Sequence, residues 1–254
     1  MGTVTSKVAA RPREFVRVAG PDAEDFLQRM VSNDVAAAPC EALLLTPKAR
    51  VIAPVVVVRR APDDFLLLTE PGLGEVVRAT LIRARFAAKV EIEPEEHRSF
   101  VVLGENGDGI PNADYGEPAA EVLDADLEPT LSFEDLERLR IEAGKPTWGK
   151  EIDDSILPAE AGLDESHVSF TKGCYPGQEP IARLRHRGKV NRRLRVLDIE
   201  SAEPGDELRL EGKTVGRVTS AVDGRALAFV RVEVPDNARL EVGSDKKSAR
   251  LFGP

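Results

Sequence analysis

Phe170-Thr171-Lys172-Gly173-Cys174-Tyr175-Pro176-Gly177-Gln178-Glu179 carries more chemistry than any other ten residues of the chain. Two glycines and a proline surround a single cysteine. From Gly177 to about Arg185 the pattern predicts a short helix with Pro180 in its first turn. Lys172 stands two residues before Cys174, and the helix N-terminus follows. A cation and a helix dipole both favour thiolate, which makes Cys174 a candidate reactive group with Lys172 as its activator. The alternative is a small residue in a tight turn. Cys40, after Pro39 and without a basic neighbour, reads as structural.

Around this stretch the charge is uneven. Thr171 to Arg195 contains eight basic residues (Lys172, Arg183, Arg185, Arg187, Lys189, Arg192, Arg193 and Arg195) against Glu179 alone, inside a chain of net charge −9. Such a patch calls for an anionic partner, whereas the acidic whole argues against general nucleic-acid coating. The 254 residues, 42% hydrophobic and 31% charged, describe a globular chain with a real core. No run approaches the ~20 apolar residues of a membrane span. Two cysteines give neither a disulfide framework nor a zinc ribbon, and no signal-peptide core is evident, so a cytoplasmic address is expected. Met1-Gly2-Thr3-Val4-Thr5-Ser6 fits a myristoylation pattern but reads as an ordinary terminus.

The rest of the chain predicts an α+β protein. Strands are expected at Phe15–Val18, Ala42–Leu45, Val51–Arg59, Asp64–Thr69, Lys89–Glu93 and Ser99–Leu103. Helices are expected at Asp22–Val31, Leu73–Phe86 and Ser132–Ala143, the last with Asp135 completing a capping box and Gly144 and Pro146 ending it. Glu105–Glu117 reads as a polar loop and Glu151–Phe170 as irregular. After Asn191 only strands follow, at short spacing, which predicts a small β-barrel or sandwich. Gly104-x-x-Gly107-x-Gly109 has the wrong spacing for a dinucleotide loop, and Gly212-Lys213-Thr214 is a hairpin rather than a P-loop. His97, His167 and His186 share no ligand spacing, so no resident metal is expected. Glu142, at a helix end just before a break, can present two oxygens to paired N–H donors of a ring.

At these residues the sequence resembles the YgfZ-type folate-binding family, related to the glycine-cleavage T-protein, an aminomethyltransferase. The carriers are Lys172-Gly-Cys174-Tyr-x-Gly177-Gln178-Glu179 followed by Ala182-Arg183, Arg140-x-Glu142-x-Gly144, and Pro158-x-Glu160-x-x-Leu163. Arg17-Val-x-Gly20-x-Asp22-x-x-x-Phe26-Leu27-Gln28, Asn33-Asp34 and Thr46-Pro47-Lys48-x-Arg50-Val51 also match. The resemblance covers nearly the whole chain. It implies a ring of three modules: a discontinuous first module within residues 1–190, an inserted ferredoxin-like α/β module at about 46–130, and a C-terminal β-barrel over 191–254.

The resemblance also implies tetrahydrofolate, or a one-carbon derivative, as cofactor. Glu142 matches the carboxylate that recognises the pterin edge. Trp148 lines the pocket or serves as core. Tyr175, Gln178, Glu179 and Arg183 fall on the cofactor side, with Arg183, Arg185 and Arg187 in reach of a glutamyl tail. Cys174 is the key reactive residue. One departure separates branches: where the T-protein has an Asp pair, this chain has Ala53 and Pro54, which argues against a conventional aminomethyltransferase. The expected function is therefore a folate-binding accessory protein for iron–sulfur cluster assembly or repair. Its partners would be client enzymes, including tRNA-modifying ones, or assembly proteins. The alternatives are a folate-dependent one-carbon transferase and, weakest, an RNA-binding module using residues 171–195.

Overall fold

The computed structural model describes residues 7–104, 109–243, 245 and 247–252, the side chain of Arg187 aside. The Met1–Ser6 pattern and the centre of Gly104–Gly109 lie outside the described residues.

The chain runs β1 (Lys7–Ala10), β2 (Glu14–Ala19), α1 (Ala23–Met30), β3 (Cys40–Leu45), β4 (Val51–Ala61), β5 (Asp64–Thr69), α2 (Gly74–Ala84) and β6 (Glu91–Glu95). There follow β7 (Ser99–Leu103), β8 (Ile110–Asn112), β9 (Ala119–Leu123), α3 (Phe133–Glu142) and α4 (Gln178–Arg187). The last strands are β10 (Arg192–Ile199), β11 (Glu207–Leu210), β12 (Lys213–Val222), β13 (Gly224–Arg231), β14 (Arg239–Val242) and β15 (Lys247–Leu251).

Five antiparallel strands, ordered β3-β4-β5-β2-β6, form a ferredoxin-like sheet with one strand added. Its alternation is explicit in β4. Ala53, Val55 and Val57 are buried under α1 and α2 with Phe26, Leu27, Val77 and Leu81. Each such large side chain contributes about 1.5–3 kcal/mol by leaving water. Pro54 and Val56 point to the other face. β1, β7, β9 and β8 form a second sheet, against which α3 packs through Leu136. The Ser132–Asp135 capping box starts α3 as expected. β10-β13-β12-β11-β14-β15 close a barrel, with β15 pairing both β14 and β10.

Three interfaces join these units into a ring. Phe15, Leu66 and Leu68 of the first sheet meet Ile110 and Leu123 of the second. Leu43, Leu45 and Val51 meet residues 152–181 and the barrel's Phe229. Arg140 of α3 reaches Ser220 of the barrel, Nη2 to Oγ 3.1 Å.

Some elements differ from expectation. The helix-covered sheet spans Glu14–Glu95, so limits of 46 and 130 do not follow its edges. Residue 46 lies in the turn joining β3 to β4, which are hydrogen-bonded neighbours. The discontinuity is instead in the second sheet, where β1 pairs with β7. The polar loop contains β8, and β1, β9 and β15 were not expected, because each is short and held by its neighbours rather than by its own alternation.

Candidate functional site

The sequence motifs shape one another. α3 ends at Glu142 because Gly144, at φ +73°, turns the chain left-handed and Lys145 N donates to Arg140 O at 3.0 Å. Glu142 is left exposed in the last helical turn, the end where the dipole disfavours an acid by about 0.3–1 kcal/mol. Helix stability thus does not explain it. The chain then turns through Pro146 to Trp148, which is half-buried against both the first sheet and the 152–181 segment.

Below this turn lies a polar network. Arg140 Nε binds Glu137 Oε1 at 2.7 Å, its Nη1 binds Glu151 Oε2 at 3.0 Å, and Ser220 donates to Glu151 Oε1 at 2.5 Å. Glu151 is fully buried, so this network both satisfies the charge and fixes α3 to the barrel.

A cavity of about 1010 Å³ opens at the centre of the ring. All three units line it, including Pro54 and Val56, Tyr115, Leu136, Glu142, Trp148, and Arg193 and Arg195. Arg11 also lines it, and the buried Nε of Arg11 has no hydrogen-bond partner among the described residues. Size and chemistry fit a drug-sized ring system: apolar and aromatic walls, a rim carboxylate and an unused donor. A second hollow of about 940 Å³ lies between α4 and the barrel and shares Ala159, Asp164, Arg193 and Arg195 with the first. Glu179 and Arg183 line this second hollow.

The structure therefore brings Glu142 and Trp148 together, sets Glu179 and Arg183 in the adjoining hollow, and leaves Lys172, Cys174, Tyr175 and Gln178 lining neither. Cys174 is an exposed free thiol three residues before the Gly177 N-cap of α4. Gly177 is required there: its φ is +84°, and a Cβ would meet Thr46 O at 2.7 Å. The matching Thr46–Arg50 turn holds Ala49, fully buried, at φ +58°, a region that disfavours any side chain. Glycine would take this conformation without that strain.

Lys172 is not placed as an activator of Cys174. Its ammonium donates to Val31 O at 2.9 Å and Asn33 O at 2.6 Å, and its field falls on Asp34 and Cys40. Burial lowers its pKa to about 8. Lys172 therefore anchors the cysteine loop to the Asn33-Asp34 segment. Cys40 is a packed thiol, pushed up by burial to about 11. Tyr175 is buried beside Leu45 and Ile181, with its phenol raised to about 12, and is a core residue rather than a ligand contact. Gln178 holds the loop by donating to Gly173 O at 3.5 Å.

Half of the basic patch is taken up by contacts within the fold. Arg185 stacks on Phe170 at 3.7 Å, Arg192 stacks on Phe229 and binds Glu160, and Arg195 pairs with Asp236. Arg183, Lys189 and Arg193 remain exposed and without an ion pair among the described residues. Ala53 faces the helix-covered core, and only Pro54 of the expected acidic pair faces the cavity. Sequence reasoning missed Glu41 and His167, which line the same cavity. A glutamate opening an otherwise leucine-rich strand was the available signal for Glu41. His167 had none.

Fold and site together define a three-module, T-protein-like protein with a ligand-sized central cavity and a separate exposed thiol. Residues 191–252 match the family described as CAF17, C-terminal beta-barrel domain. The chain is 27% identical to the human mitochondrial iron-sulfur cluster assembly factor IBA57, over 91% of this chain and 80% of that protein. It is 26% identical to the tRNA-modifying protein YgfZ of Pectobacterium atrosepticum, over 76% of this chain and 71% of that one. The structure of glycine cleavage system aminomethyltransferase T from Bartonella henselae superposes with a TM-score of 0.84 at 18% identity, covering 98% of this chain and 85% of that chain, which establishes the shared fold. The chain is a homologue of the YgfZ and IBA57 proteins.

Proposed function

We propose that this protein is a tetrahydrofolate-binding accessory factor for iron–sulfur cluster assembly or repair, acting in the cytoplasm. The observation that carries the proposal is the pairing of two separate features on one fold. One is the central cavity with Glu142 and Trp148; the other is the exposed Cys174 on a loop fixed by Lys172. Relatives named iron-sulfur cluster assembly factors and tRNA-modifying proteins support it. Glu142 would accept paired N–H donors of the pterin ring, and Trp148 would cover its face. Arg183, in the adjoining hollow, would meet the acidic tail. When bound, the folate supplies a carrier for one-carbon units. Cys174 would act on the cluster as cargo. One thiolate cannot hold a cluster that needs about four ligands, so the contact is shared with a partner. Among the described residues no group of three or more metal-ligating side chains supplies the rest.

The test is genetic. In cells lacking the protein, the Cys174→Ala variant accumulates as folded protein and restores iron–sulfur enzyme activity no better than an empty vector. Full restoration by Cys174→Ala would remove the thiol from the mechanism.

A further inference from the structure

Four of the nine carboxylates that line the cavity are held by arginines. Glu70 accepts from Arg11 and Arg13 at 2.7 Å each, Glu137 from Arg140 and Lys150, Glu160 from Arg192, and Asp236 from Arg195. Glu41 is different. It is half-buried on β3, opposite Val56 and diagonal to Pro54, on the cavity face of the first sheet. Among the described residues it has no Lys or Arg within ion-pair distance, and its titratable neighbour is His167, with Nδ1 3.6 Å from Oε2.

Its surroundings are fixed. Asn33 Nδ2 donates to Glu41 O at 2.7 Å and to Ser166 O at 2.9 Å, which fastens β3 to the 163–170 loop. Ser32 Oγ donates to His167 O at 2.6 Å, and Ser166 Oγ lies 2.8 Å from His167 Nδ1. His167 faces Glu41 from β3, Asp114 from the second sheet and Lys145 from the turn after α3, with Asp164 and Glu165 on its own loop. Burial lowers its pKa, so the ring is held towards its neutral form. An ionised carboxylate is an acceptor only, and a partly desolvated one without a cation needs an N–H or O–H donor.

We infer that Glu41, positioned by His167 and Asn33, accepts a hydrogen bond from a ring N–H of the bound ligand and so selects a reduced pterin over its fully oxidised form. This rests on the folate reading of the cavity. A reduced pterin carries ring N–H groups that the aromatic form lacks. A carboxylate facing a bare ring nitrogen meets lone pair with lone pair. Glu41 would thus place an acid beside the wall position that Pro54 leaves without one, on the neighbouring strand.

The test is calorimetric titration, without oxygen, of the full chain with tetrahydrofolate and with folic acid. Wild type is expected to prefer tetrahydrofolate at least tenfold. Glu41→Leu should weaken tetrahydrofolate about tenfold or more and leave folic acid within about twofold, so that the preference collapses; tenfold corresponds to about 1.4 kcal/mol. Glu41→Gln, the nearest in shape, should give an intermediate loss. His167→Asn should reduce the preference, which a purely structural role would not alter relative to overall affinity. Equal weakening of both ligands, or an undiminished preference in Glu41→Gln and Glu41→Leu, overturns the inference and leaves the folate site standing. Failure of wild type to bind either ligand overturns both.

Discussion

Lys172 and Cys174 are two residues apart, yet their side chains do different work. The ammonium is spent on the carbonyls of Val31 and Asn33, while the thiol faces solvent. Lys172→Met should therefore loosen the loop without slowing Cys174 alkylation, as followed by peptide mass spectrometry. A rate about tenfold lower in Lys172→Met would restore Lys172 as the activator. The motif was legible in the sequence because its glycines and proline are tied to a turn: Gly177 has the only side chain that fits above Thr46. The direction of the lysine was not, because its acceptors lie about 140 residues upstream. Glu41 and His167 stayed hidden for the same reason. Strand pairing and a loop contact create their relation, and no spacing encodes it.

Individual elements follow local rules closely. The Ser132–Asp135 box begins α3, and Ser132→Ala should cost about 1 kcal/mol in urea unfolding, with no change in ligand binding at saturating folate. The link between β6 and the end of β9 is electrostatic. His97 Nε2 lies 2.9 Å from Glu95 Oε2, and His97 Nδ1 lies 2.6 Å from Asp124 Oδ2. Burial opposes protonation of His97, but these two hydrogen bonds outweigh it and raise its pKa above the ordinary 6.5. A raised folded-state pKa gives stability that is fully present below 6.5 and lost as pH rises through the folded value. His167 works in the opposite sense, since burial lowers its pKa and the folded state loses stability as pH falls through 6.5. The stability advantage of wild type over His97→Gln should accordingly be larger at pH 6 than at pH 8.5, as read from unfolding midpoints. An advantage that does not shrink with pH would contradict the assigned ion pairs. The long alternating and amphipathic elements were readable from sequence, β2, β4, β5, α1 and α2 among them. The short strands β1, β8 and β15 were not, since their neighbours supply most of what holds them.

The whole molecule is a ring because three interfaces close it, and the joint between α3 and the barrel rests on a buried ion pair. Arg140→Met would strand the buried carboxylate of Glu151 and should cost about 3–5 kcal/mol, and adding Glu151→Leu should recover part of that loss. Recovery by the double variant, measured by chemical unfolding, separates charge burial from simple loss of packing. The ring itself was not derivable from composition or periodicity; only the resemblance supplied it. The barrel was derivable, since its strands are short, regular and uninterrupted by helix. Closure of the ring places Glu142, Trp148, Pro54 and Glu41 around one cavity although they come from separate parts of the chain. The most direct test is a titration of tetrahydrofolate followed by the fluorescence of Trp148, the only tryptophan, with free tryptophan as the absorbance control. Saturable quenching in wild type, weakened at least tenfold in Glu142→Ala of unchanged fold, is the predicted result. No saturable quenching in wild type, or equal affinity in Glu142→Ala, would contradict a folate site anchored by Glu142.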